Sequence, residues 1–196
     1  WWRRTYRITS GSCSEDDSGR MPDGQKEMVC FATGDIAVPL LTHPKIAGLA
    51  GVGGQGMGDV LVGMDKDAFT SYFLEQSANA AVSREAAFRY RAALNELIRK
   101  NSRKLAGAVV VHWFKEKVKD AENPLAWLED PPEVVEGGAR KAADELLRSI
   151  ATGRRMDLGA NRYYALTLSG MSGRVMVRDW MEGQFEELVA NISHWF

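Results

Sequence analysis

Residues 48–63 read GLAGVGGQGMGDVLVG, seven glycines in sixteen positions, and the choice between two architectures turns on them. Gly51, Gly53 and Gly56 satisfy G-x-G-x-x-G, the spacing that lets a backbone approach a pyrophosphate in a doubly wound dinucleotide-binding fold. Such a loop leaves a buried strand and opens a helix, because the helix N-terminus faces the phosphates. Here THPKIAG comes first and is not a strand run, while DVLVGM (59–64) follows with the β-branched residues of a strand. No Gly-Lys-Ser/Thr follows either, which excludes a P-loop. The stretch therefore reads as a mobile, glycine-rich surface loop.

Upstream, residues 10–27 (SGSCSEDDSGRMPDGQKE) are polar and too poor in apolar side chains to order themselves, so residues 1–27 are expected to be largely loop. MVCFAT (28–33), closed by Gly34, reads as a buried strand. Downstream the period changes to that of a helix. From Ser83, a good N-cap, SREAAFRYRAALNELIRKN places Ala86, Tyr90, Ala93, Leu94, Leu97 and Ile98 on one stripe. Arg99, Lys100, Arg103 and Lys104 gather where cations offset the helix dipole, which makes helix chemistry their first reading and a phosphate site the second.

GAVVVHWF (107–114) is apolar enough for a central strand. A loop with Pro124, Pro131 and Pro132 follows, then a second amphipathic helix from about Glu136 to Ala151, ended by Gly153. RYYALTLS and RVMVRDW flank the turn segment GMSG and predict a hairpin. MEGQFEELVANISHWF makes a third amphipathic helix through Phe185, Leu188, Val189, Ile192 and Trp195. The expected fold is α/β in the mixed α+β sense, a mixed sheet of four to five strands with about three amphipathic helices. Residues 28–196 are expected to form one domain.

The chain has 196 residues, 45% hydrophobic and 26% charged, with a formal net charge of −1. That balance argues against a protein coated in positive charge and leaves room for local basic patches. No apolar run approaches ~20 residues, so no membrane span is expected. The opening WWRRTYRITS lacks the apolar core of a signal peptide and suggests a fragment of a longer, cytoplasmic chain. Cys13 and Cys30 sit without a second pair or a histidine pattern and read as free thiols.

Catalytic constellations are thin. His43, His112 and His194 lack metal spacing, no G-x-S-x-G elbow occurs, and Glu15, Asp16, Asp17, Glu129 and Asp130 fall in polar loops. The expectation is no enzyme and no cofactor. Groups that could touch nucleic acid are easier to place: Lys45 in HPKI, Gln55 in the glycine loop, and Arg174 and Arg178 four residues apart on one strand face. Arg174 and Arg178 read equally well as the polar face of an edge strand.

The ordered fragments CFATG, HPKI, GGQGMG, LVGMDKDAFTSYFLEQ, NAAVS, AAFRYRAALN, VVVHWF and YYALTLSGMSGRV together resemble the large subunit of the type I-C CRISPR Cascade complex. The resemblance covers about residues 28–180. It matches Cys30, Thr33 and Gly34, then His43 to Ile46, then Gly54, Gln55 and Gly58, then Ala68 to Tyr72, and Asn79 to Ser83. Departures are Ala81 in place of a proline, Gly56 and Met57 in place of paired serines, and Met171 in place of an asparagine ahead of Arg174.

The family implies an internal piece of a larger, non-enzymatic protein that works with the other subunits of a guide-RNA complex. Such subunits recognise the protospacer-adjacent motif in double-stranded target DNA, help start strand separation and offer a docking surface to a recruited helicase-nuclease. On this resemblance the nucleic-acid contacts are expected at Lys45, Gln55, Asn79, Arg174 and Arg178, and Cys30, Thr33 and Trp113 are expected in the core. A scaffold segment that holds neighbouring subunits is the competing reading, and a nucleotide-binding enzyme the third.

Overall fold

A computed structural model describes residues 26–70, 73–125 and 138–195. Cys13, the polar stretch up to residue 25, Tyr72, and Pro131 and Pro132 lie outside the described residues. The fold is mixed α+β, and the described residues group into two compact units. Unit 1 contains residues up to Val111 together with Thr167–Arg178, and unit 2 contains His112–Leu166 and Asp179–Phe196.

Unit 1 begins with a small antiparallel pair, β1 (Met28–Val29) and β2 (Ile36–Ala37). The buried strand expected over residues 28–33 is cut short there. The amides of Thr33 and Gly34 both fold back onto the Cys30 carbonyl, so the chain turns and leaves Phe31 73% exposed. Cys30 is buried beside Val82, Ala86 and Ala87, as expected, with the Ser83 amide donating to its sulfur at 3.3 Å. Thr33 is only half-buried, a correction to its expected place in the core.

Helix α1 (Arg84–Lys100) follows the sequence pattern closely: Ser83 caps it, its hydroxyl accepting from the Ala86 amide at 3.2 Å, and Ala86, Ala87, Ala93 and Leu94 are buried. The helix stops earlier than the basic cluster suggested. The Ser102 hydroxyl donates to the Ile98 carbonyl at 2.6 Å, and Arg103 and Lys104 belong to β5 (Ser102–Leu105), which turns through Ala106 and Gly107 into β6 (Ala108–Phe114). The main sheet runs β3-β4-β8-β7-β6-β5, where β3 is Lys45–Ile46, β4 Asp59–Val60, β7 Arg162–Met171 and β8 Arg174–Gln184. It has six strands, above the four or five expected, because β3 and β5 are too short to stand out in sequence. β8 lies between β4 and β7 where Val60 pairs with Arg174, which corrects the edge-strand reading at Arg174.

The predicted hairpin is β7–β8. Ser172 and Gly173 both take positive φ (50° and 84°) at its turn, the backbone twist that two-residue hairpins favour.

Unit 2 holds the remaining residues of β6, β7 and β8 with three helices, α2 (Gly138–Ala151), α3 (Met156–Gly159) and α4 (Phe185–Trp195). Val118, Ala143, Leu146, Leu158, Phe185 and Val189 form its core, and the Phe114 ring meets Phe185 edge-on at 5.5 Å. Because strand side chains alternate between faces, Trp113 points the other way from Phe114. It stacks on Tyr164 at 5.5 Å and is only half-buried, a correction to its expected core position. Asn161, 1% exposed, ties this unit's backbone together. Its side-chain oxygen accepts from the amides of Glu116 and Arg162, and its Nδ2 donates to the Glu116 carbonyl at 3.0 Å.

Candidate nucleic-acid interface

The glycine stretch is built as a pinned loop. A 3-10 turn at Ala50–Val52 opens it, and the Gly54 amide returns to the Leu49 carbonyl at 2.9 Å. The Gln55 amide donates to both carboxylate oxygens of Asp59, 3.1 Å each, and Asp59 is fully buried. Behind the loop lies Gly170 of β7. A side chain on Gly170 would collide with the Gly54 backbone, and one on Gly53 would come within 2.6 Å of the Gly170 carbonyl oxygen. The glycines therefore allow two backbones to touch, and the loop is held by contact where mobility was expected. It runs on into β4 and not into a helix, so the dinucleotide-binding geometry is missing.

At the loop's tip, the Gly58 amide donates to the Gln55 carbonyl at 3.0 Å, closing a turn whose central residues are Gly56 and Met57. The Gln55 side chain is exposed and lies against Gly173 of the β7–β8 turn. The sheet brings two more of the expected residues to this place. Lys45 is the register partner of Val60 across β3–β4, and Val60 is the partner of Arg174 across β4–β8. Register partners share a sheet face, so Lys45, Val60 and Arg174 form one row, while Ile46, Asp59 and Val175 are buried behind them.

Arg174 is ion-paired to Asp65. The carboxyl of Asp65 is held below the usual carboxylate range by its own backbone amide and then by the Arg174 guanidinium. Arg178, four residues on, donates from Nε to the Ser169 hydroxyl at 2.8 Å. Asn79 is not drawn into the row: its Nδ2 is spent on the Gln76 carbonyl at 2.9 Å and, more weakly, on that of Leu74.

Beside the row is a cleft of about 200 Å³, lined by Thr42, His43, Asp65, Gln76, Ser77 and Arg174 among others. His43 is 2% exposed, with Nδ1 2.7 Å from the Tyr90 hydroxyl and Nε2 without a hydrogen-bond partner among the described residues. Burial lowers the His43 pKa and pushes Tyr90 up to about 12, so both are neutral near pH 7. Sequence reasoning missed Asp59, Asp65 and Gly170. Only Gly170, a glycine inside a strand pattern, carried a signal, since such a glycine marks close backbone approach.

Fold and site together define a mixed α+β protein with a polar, cation-bearing sheet face beside a pinned glycine loop, and no metal-ligand cluster among the described residues. The chain belongs to the Cas_Csd1 family of CRISPR-associated proteins, which it matches over residues 11–196. This is the family of the large, non-catalytic subunit of type I-C Cascade, a DNA-binding surveillance complex assembled with guide RNA and other subunits. No curated protein sequence matches the chain. Among the described residues no helix is long and apolar enough to cross a membrane.

Proposed function

We propose that this segment contributes to recognition of the short protospacer-adjacent motif in double-stranded target DNA, with unit 1 as the reading part. The observation that supports it best is the Lys45–Val60–Arg174 row with Gln55 at its end. A glutamine amide reads base edges, while cations beside it fix the register on phosphates. Such a division of labour suits a guide-RNA complex, where base pairing supplies most of the sequence specificity and protein reads only a short duplex signature. Charge supports the same assignment: unit 1 contains sixteen Lys and Arg against twelve Asp and Glu, and unit 2 nine against fourteen. Arg178 adds a phosphate contact in this reading, and Asn79 contributes through its side-chain oxygen. The module acts in the cytoplasm as part of a longer protein.

A scaffold role is favoured for unit 2 by one observation. Trp113 and Tyr164 stack, Trp180 leans tilted against both, the centroids are 5.5–5.9 Å apart, and Trp180 is 47% exposed. Exposed aromatic clusters of this kind anchor protein interfaces, and a neighbouring subunit or the recruited helicase-nuclease is the fitting partner.

The test is duplex binding by the assembled guide-RNA complex on targets with and without the flanking motif. Gln55→Ala should erase the difference between targets, and Lys45→Ala should weaken both equally. Unchanged binding in both variants would move this segment to scaffold.

A further inference from the structure

Some cations of α1 are already held by carboxylates. Arg89 is paired with Glu85, and Arg99 and Lys100 share Glu96. Arg91 and Lys104, with nearby Lys45, take part in no ion pair among the described residues, and all three are exposed.

Their positions are fixed by a continuous run of contacts. The Arg91 Nε donates to the Lys45 carbonyl at 3.2 Å, and the Ala47 amide donates to Asn95 at 2.9 Å. A side chain on Gly48 would come within 2.6 Å of Ile98, and the Lys104 ammonium occupies the space where a Gly51 side chain would sit. Residues 45–51 thus lie along α1 and reach β5 at Lys104. From Arg91 to Ile98 alone the helix rises ~10 Å, the axial rise of about three nucleotide steps on one B-form strand. The amides of Gly56 and Met57, central in the loop-tip turn, have no partner among the described residues.

We propose that Arg91 and Lys104 join Lys45 in a rail of unpaired cations that holds the phosphodiester backbone of one target-DNA strand alongside the glycine loop. The proposal rests on the DNA-reading function above and adds two residues to it. Unpaired cations are the ones free to release counterions on binding, whereas Arg89 is matched one-to-one by Glu85. The rail acts on phosphates, whose contacts carry no sequence information, so its contribution is independent of sequence.

The test is the salt dependence of duplex binding by the assembled complex carrying Arg91→Gln with Lys104→Gln. The expected result is a log–log slope shallower by roughly 2, about 0.9 for each phosphate no longer neutralised, with the preference for the flanking motif intact. Arg91→Lys with Lys104→Arg should restore the slope, and Arg89→Gln, at a cation already matched by Glu85, should leave it unchanged. An unchanged slope in a complex that assembles normally would overturn the rail. So would an equal loss in Arg89→Gln, or loss of guide RNA or a neighbouring subunit in place of DNA. Gln55→Ala measured in parallel separates the two ideas: if it erases motif preference while the rail variants do nothing, the reading function stands and the rail falls.

Discussion

Lys45 and Arg174 are each the register partner of Val60, so two cations far apart in sequence stand on one face of the sheet, a single strand between them. At ~4.8 Å per strand their backbones are ~10 Å apart. Their adjacency does not show in sequence. The pairing of β3, β4 and β8 makes them neighbours.

Arg174 is held by Asp65 before any ligand arrives. Asp65→Asn should release it and tighten DNA binding by a small factor, under about fivefold, since exposed ion pairs are weak. Arg174→Ala should weaken binding. Because the Asp65 carboxyl sits below its ordinary range, the pair persists at neutral pH and opens only as acid protonates the carboxylate. Duplex affinities of wild type and Asp65→Asn compared at pH 6 and pH 8 should differ by the same factor at both, because Asp65 stays ionised across that window.

Backbone contact between Gly54 and Gly170 holds the loop. Gly170→Ala should cost about 1–3 kcal/mol by overpacking, read as a lower urea midpoint. Gly56→Ala, at a position with nothing within 4 Å, should change stability by less than about 0.5 kcal/mol.

His43 is buried and its pKa is lowered. The unfolded chain then takes up a proton near pH 6.5 that the folded chain resists, so stability is complete above that pH and falls as pH drops through it toward the folded value. Melting temperature measured from pH 8 to pH 5 should decline on the acid side, and the decline should be smaller in His43→Gln. Tyr90, which faces the imidazole, stays protonated throughout this window.

Asn161→Ala should destabilise unit 2 by about 1–3 kcal/mol, because the amides of Glu116 and Arg162 and the Glu116 carbonyl lose their partner in a buried place. Asn161→Asp keeps the acceptor and loses the donor, and should fall between the two in chemical denaturation.

The three long helices and the β7–β8 hairpin were legible because each has a strong local signature: the Ser83 cap, the apolar stripe of α1, the Ser-Gly turn. β2 and β3 are two residues each, too short for any period to appear, and the strands read over 28–33 and 59–64 are cut to two residues each. Lys45, Gln55 and Arg174 were picked out by residue type, and the sheet register and the loop bring them to one place. What stayed hidden is contact across long sequence separation. Nothing local marks Asp59 as the anchor of the Gln55 amide, Asp65 as the partner of Arg174, or Lys104 as the neighbour of Gly51. Glycine richness also misled, because it reads as looseness, whereas here it serves backbone contact.

Arg174 and Asp65 lie 109 residues apart, and the β4–β8 pairing spans a similar separation. A ribosome that has made the glycine loop, Gln55 and Lys45 has therefore not yet made the surface they belong to. Non-local parallel pairing is slow to form because chain closure must precede any gain from contact. The cation row is assembled only after β8 has emerged, so a nascent or prematurely terminated chain carries the loop without the cation-bearing face beside it.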